Sequence, residues 1–212
     1  MPWVTPWSHE QTLPVRFARQ VNEDAEERLA YANEHPADRH SGVLWVRMSL
    51  ARGRGRPDFA GLHPLRQRAA MEHMLCQVCG TTTVSTRADE RHLFVFADRG
   101  NRSPVQEGET VTVPPVHESC ALQSVERCPH LRRGWTGALV GWTPSWGVAG
   151  AVVHPDTLDL ISDPGDLVEV SYEDEKRLRW IYASRAVISL HEVEPIDLAR
   201  LEIEARAARA PA

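Results

Sequence analysis

An α+β fold with a mainly antiparallel sheet and helices at both ends is predicted by three features of the sequence. Alternating apolar and polar runs crowd the region after Gly134. Amphipathic stretches lie near both termini. Between them, four donor residues fall into two pairs with one spacing: Cys76-Gln77-Val78-Cys79 and His117-Glu118-Ser119-Cys120. The expected organisation is an N-terminal helical and strand region over 1–75 with a basic loop, a metal module over 76–133, and a sheet with a final helix over 134–212. The three are expected to form one compact unit.

The elements follow in order. After a Trp/Pro-rich start, Phe17, Val21, Ala25 and Leu29 recur every fourth residue while Glu23, Asp24, Glu26 and Glu27 mark a wet face. This spacing predicts a helix over Leu13 to Asn33, stopped by Pro36. Gly42 to Leu50 reads as a strand, Ala51 to Pro57 as a flexible basic loop, and His63 to Leu75 as a helix. Thr81 to Val84 and His92 to Ala97 are expected to pair as a hairpin, followed by a strand at Glu109 to Val113 and a helix over Glu118 to Cys128. Strands are then expected at Trp135 to Trp142, Val148 to Val153, Leu167 to Tyr172, Arg177 to Ala183 and Ala186 to Val193. Glu173 to Lys176 should turn one of these hairpins. Pro195 suits the first turn of a helix running to about Ala208.

The two donor pairs carry the strongest chemical signal. A two-residue gap lets one backbone turn aim two soft donors at one point, and the 37 residues between the pairs leave room for strands. Gly80 lets the chain leave the first pair through a conformation that a Cβ disfavours. Knuckle, hairpin, strand and a helix opened by the last ligand make the order of a treble-clef-like zinc module. Cys76, Cys79, His117 and Cys120 are its expected ligands, holding one structural Zn2+ in a closed tetrahedral site. A helix's first turn also favours a thiolate at Cys120. Cys128 is excluded on an unbroken helix, because eight residues carry it about 12 Å along the axis. His73 and His130 are weaker donors by position.

The stretches Leu75-Cys76-Gln77-Val78-Cys79-Gly80, Pro114 to Ala121 and Cys128-Pro129-His130-Leu131 resemble a group of uncharacterised proteins from high-GC bacteria. In that group a CQVCG knuckle precedes a PPVxxxCA…CPHL segment. The likeness spans about a third of the chain and implies a treble-clef-like metal site; it brings no activity with it. In that group the position of His117 is often Cys, so the Cys3His set here is a departure that keeps zinc competence.

Composition narrows the rest. Mean hydropathy is −0.38 and the apolar fraction 42 %, as in water-soluble globular chains, and the net charge of −5 gives no bulk attraction to polyanions. The opening residues lack a signal peptide's charged and apolar segments, and no window suits a membrane span. A cytoplasmic location is expected. Lys176 is the single lysine against 23 arginines, a bias that a GC-rich coding sequence also produces. Arg47, Arg52, Arg54, Arg56, Arg66 and Arg68 fall within 22 residues; Arg127, Arg132 and Arg133 follow the metal helix. Arg52, Arg54, Arg56, Arg66, Arg68, Arg132 and Arg133 are the candidate phosphate contacts. Trp45 and Phe59 offer rings on which bases could stack, but are expected to pack inside; so are Trp135, Trp142 and Trp180. Trp3, Trp7 and Trp146, if exposed, would suit a protein partner.

Catalytic signatures are sparse. An HNH-like nuclease needs a histidine base beside further His or Asn ligands. His92 stands alone in the expected hairpin, on its solvent side, and Asn101 lies in a turn. No phosphate loop, dinucleotide fingerprint, HExxH or GxSxG occurs, and no organic cofactor is implied. The expected function is a zinc-stabilised, non-catalytic binding or adaptor protein whose partner is a nucleic acid or another protein. The alternatives are an HNH-like metal-dependent nuclease or other enzyme, and a structural component of a larger assembly.

Overall fold

Asn22 decides the first departure from these expectations. In the computed structural model, which describes residues 1–22, 24–97, 104–161 and 166–197, its Oδ1 accepts from the backbone N–H groups of Asp24 and Glu26. Such an Asx turn reverses the chain where the period-four pattern predicts a helix. The segment is therefore a hairpin, β1 (Phe17–Val21) against β2 (Glu27–Tyr31), with Phe17 opposite Tyr31. Leu29, Ala30 and Tyr31 are buried, whereas the apolar Val21 is 62 % exposed. A helix would have put Val21 and Leu29 on one face; the hairpin buries the end of β2, brings Phe17 of β1 against it and leaves Val21 in water.

The fold is α+β and mostly antiparallel, and the chain divides into two units of non-contiguous segments. The first comprises Met1–Val4, Ala69–Pro144 and Ile188–Ala212; the second comprises Thr5–Arg68 and Ser145–Val187. In the second unit, β3 (Arg39–His40), β4 (Val43–Trp45), β10 (Ile181–Ser189), β8 (Ser145–Val152) and β9 (Val168–Ser171) lie in the order β3-β4-β10-β8-β9. The β10–β4 pairing is parallel. Leu29, Tyr31, Leu44, Val153 and Tyr182 form its core, with Phe17 edge-on to Tyr182.

The first unit holds the sheet β11-β7-β5, made of His191–Ile196, Trp135–Trp142 and His92–Ala97. Its core cluster is Cys76, Leu93, Val95, Val116, Ala121 and Leu139. The end of β10 belongs here too, where Ile188 and Ser189 pair with Val111 and Thr110 of β6 (Thr110–Val111).

Besides two three-residue 3-10 turns, Pro36–Asp38 and Leu131–Arg133, α-helices are few among the described residues. They are α1 (Pro64–Glu72), α2 (Glu118–Arg127) and the four-residue α3 (Glu175–Leu178). No described helix is long and apolar enough to cross a membrane.

Three further expectations need correcting. Thr81 to Val84 forms no strand beyond one bridge, Leu75 to Thr82, so β5 pairs with β7 instead. Hydroxyl groups outcompete the ladder there: Thr83 Oγ1 donates to Met74 O, Thr86 Oγ1 to Thr83 O, and Thr82 Oγ1 accepts from Val84 N. Glu173 to Lys176 is not a hairpin turn. Asp174 caps α3 by accepting from Arg177 N, and β9 pairs with β8 rather than β10. Pro195 opens no helix: it sits in β11 opposite Ala138, on an edge strand, where a missing N–H is tolerated. The rest of the expected terminal helix lies outside the described residues, as does the turn around Asn101.

Candidate metal centre

Residues around the first donor pair fold into a tight knuckle. Cys76 N donates to Thr81 O (2.8 Å), Gly80 N returns to Cys76 O (2.8 Å), and Gln77 N reaches Pro115 O (2.9 Å). The last bond ties the first pair to the segment that delivers the second. Gly80 has φ +78°, and a Cβ there would stand 2.6 Å from Trp3 Cγ. Glycine is thus required by both backbone and neighbour. Trp3 is itself held over the knuckle by its N–H, which is shared between Gln77 O (2.8 Å) and Val78 O (3.0 Å).

The second pair sits at the start of α2. Buried Pro114, Pro115 and Val116 lead into it, and Val116 N donates to Leu93 O of β5 (2.8 Å). His117 is the N-cap, so Cys120 occupies the helix's first turn. There the backbone dipole favours negative sulfur.

One donor atom each from Cys76, Cys79, His117 and Cys120 lies within 4.8 Å of all the others. A tetrahedral zinc with bonds of 2.0–2.3 Å spaces its donors by about 3.8 Å or less, so the cluster is gathered to within about 1 Å of that size. His117 chooses which nitrogen it presents. Its Nε2 lies 2.9 Å from Thr82 O, and a carbonyl only accepts, so Nε2 carries the proton. Nδ1 is left with its lone pair facing the thiols, 3.3 Å from Cys79 Sγ. A carbonyl behind a metal-binding imidazole is the usual outer support of such a ligand. Three thiols and one such imidazole make a donor set consistent with a zinc site.

Without metal the sulfurs are unequal. Burial raises the Cys79 thiol, but hydrogen bonds from Thr81 and Cys76 outweigh it and bring it down to about 6. Burial, then the neighbouring Cys76 and Cys79 sulfurs, push Cys120 up to about 12. The surroundings accordingly favour the thiolate at Cys79 and disfavour it at Cys120, where a bound cation would reverse the balance.

Other sequence-derived donors stay away. Cys128 caps the far end of α2, its N–H bonded to Ser124 O (2.8 Å), so the helix between it and Cys120 is unbroken. His73 and His130 are exposed and outside the cluster. Cys128→Ser should therefore keep full zinc occupancy by elemental analysis, whereas His117→Ala should lose most of it; release of metal by Cys128→Ser alone would refute this ligand set.

His92 is a strand residue, but not on a solvent face. It is half-buried, burial holds its imidazole below the usual range, and Nδ1 pairs with Thr83 Oγ1 at 2.9 Å. The candidate arginines divide. Arg52, Arg54, Arg56, Arg132 and Arg133 are exposed. Arg66 is 7 % exposed and grips buried Glu10, and Arg68 lies 4.6 Å over the Trp45 ring. Those two are structural. Arg47 is spent on Asp38 and on the face of Tyr31. The aromatic expectations also shift: Trp45 is buried, but Trp142 and Phe59 are 59 % and 61 % exposed, while Trp3, Trp7 and Trp146 are half-buried.

Sequence spacing did not reveal two polar arrays in the first unit. Arg87 pairs with Asp89 and with Glu118 of α2, and Arg91 joins Asp89 to Glu194 of β11. The second array runs from Ser189 Oγ to His191 Nε2 (3.0 Å) and from His191 Nδ1 to Glu107 Oε1 (3.1 Å). It has the atom order of a nucleophile, base and carboxylate. Yet Ser189 is 7 % exposed, and the Glu107 oxygens also accept from Glu192 N and Val193 N. This geometry clamps the 107 segment onto β11.

Comparison with family models, with curated proteins and with solved structures gave no match to this chain.

Proposed function

We propose that the chain is a zinc-stabilised, non-catalytic binding protein whose four-donor centre is a treble-clef-like structural site. One observation carries the reading. Cys76, Cys79, His117 and Cys120 already converge, so no coordination position is left for water or substrate. Fully buried Cys76 sits in the apolar cluster, which joins the centre to the fold. The knuckle and the ligand-opened helix support the treble-clef comparison; the β5–β7 pairing stands where that module has its hairpin. On this reading the high-GC bacterial group with the same knuckle carries the same centre. A cytoplasmic setting, which keeps thiols reduced, suits it.

The enzyme reading has less support. His92 is bonded to Thr83 and has no second ligand beside it among the described residues, and the Ser189–His191–Glu107 array is closed by backbone donors.

Cobalt substitution tests the proposal. The protein should bind one Co2+ per chain with the strong visible absorption of a tetrahedral thiolate site, unchanged by added imidazole. A spectrum that shifts with imidazole would reveal an open position and overturn the structural assignment.

A further inference from the structure

The loop after β4 was expected to be flexible. It is tied down at both ends. Ala51 N donates to Glu10 Oε1 (3.1 Å), Arg54 N to Ala51 O (3.0 Å) and Arg56 N to Ser8 Oγ (3.0 Å), while Ser8 N reaches Arg56 O (2.8 Å). Gly55, at φ +82°, lies so close to Ser8 and His9 that a Cβ would collide with both side chains. Asp58 N then bonds Pro6 O (2.8 Å).

The anchor is the buried ion pair. Glu10 takes Arg66 on both oxygens (2.7 and 2.6 Å) and also accepts from Trp7 N (2.9 Å). Arg66, a candidate phosphate ligand by sequence, instead holds the platform on which other arginines stand.

Arg52, Arg54 and Arg56 all project from this platform. Each is exposed, and none of their guanidinium groups has a hydrogen bond or ion pair among the described residues. Around them, Leu50 is 73 % and Phe59 61 % exposed. Three unpaired cations on a held turn, with an exposed ring three residues beyond the last, combine phosphate contacts with a stacking surface. A preformed loop also loses less conformational entropy on binding.

We propose that the Arg52–Arg54–Arg56 loop, with Phe59, is a binding site for single-stranded nucleic acid. This rests on the reading of the chain as a non-catalytic binding protein and names its partner. Arginine forks match phosphate oxygens, and an aromatic face accepts any base. A single strand fits better than a duplex. Three contacts are few, and the net charge of −5 disfavours the dense charge of double-stranded DNA.

The test is fluorescence anisotropy with labelled oligothymidylate, across a salt series, on zinc-loaded protein. Wild type should bind at low ionic strength with a log–log salt slope near −2, about 0.7 for each of three contacts. Arg52→Ala/Arg54→Ala/Arg56→Ala should remove binding and slope together. Phe59→Ala should weaken binding about tenfold and leave the slope, as expected for a lost stacking platform.

Absence of wild-type binding would overturn the proposal. So would unchanged affinity in the triple variant, or equal affinity for a duplex of the same length. A polyglutamate peptide or phosphatidylserine vesicle that binds more tightly through the same three arginines would reassign the loop and equally overturn it. Zinc content measured on the same samples separates the two readings: stoichiometric metal without oligonucleotide binding removes only this one.

Discussion

The Cys76→Ala/Cys79→Ala double variant should contain no zinc and should lose the cooperative unfolding transition of the unit that carries the centre. Only His117 and Cys120 would remain as donors, too few for a structural site. Structural zinc contributes about 10–16 kcal/mol of apparent binding energy in small zinc modules, and that energy is folding energy. Typical domain stabilities are about 5–15 kcal/mol, so the loss is of the order of the whole. The effect should reach beyond the ligands. Cys76 packs with Leu93, Val95 and Leu139 of the sheet, and Trp3 rests on Gly80. Elemental analysis and thermal denaturation check the variant; a chelator on wild type should reproduce its melting behaviour. Full zinc occupancy in the double variant would refute the assignment.

Glu10→Gln should destabilise the protein by about 3–5 kcal/mol at neutral pH, because it leaves the Arg66 guanidinium buried without its counter-charge. The Glu10 side chain is fully buried and Arg66 nearly so. Burial alone would raise the Glu10 carboxyl, but hydrogen bonds from Arg66, Ala51 and Trp7, with the Arg66 charge, bring it from 4.5 to about 2.

A carboxylate depressed in the folded state stabilises it above the unfolded pKa. That contribution is lost as pH falls from about 4.5 to about 2, and it is at most about 3 kcal/mol. His63, buried 3.8 Å from Glu10, is held below its usual value by burial and then by Arg66. Because its folded form favours the neutral ring, its contribution starts to be lost as pH falls below its ordinary range, above the pH at which the Glu10 loss begins. Urea midpoints of wild type and Glu10→Gln across this range should therefore converge toward pH 2. Equal midpoints at pH 7 would show that the pair does not hold the platform.

These two experiments address features that were legible to different degrees. The clustering of Cys76, Cys79, His117 and Cys120 was readable because the spacing within each pair is local. Two residues between donors allow one turn to present both, and Pro114-Pro115 before His117 stops a strand where α2 begins. The α2 boundaries followed from the prolines on either side of it, and the separation of Cys128 from Cys120 from helical rise. Strands β5, β7, β8 and β9 were visible for the same reason, since side-chain alternation is a property of the nearest neighbours in sequence.

Pairing was not local. β5 was expected to pair with the segment before it, yet it joins β7, whose own other partner is β11. An alternating strand carries no label for its neighbour, and Thr82, Thr83 and Thr86 remove the nearest candidate by bonding the backbone themselves. Likewise Phe17, Val21, Ala25 and Leu29 satisfy a helical period, but the Asx turn at Asn22 and the packing of Tyr31 against Tyr182 select a hairpin.

The sequence by itself determined the four clustered donors, the knuckle glycine, the helix that carries Cys120 and the α+β class, because each depends on spacings within a turn or a strand. Only the tertiary structure decided the roles of the arginines. Arg66 and Arg56 look alike in a basic run, and what separates them is Glu10, 56 residues from Arg66 and buried beside it. A charge in the interior requires a partner that the chain can bring from any distance, whereas a charge in water requires none.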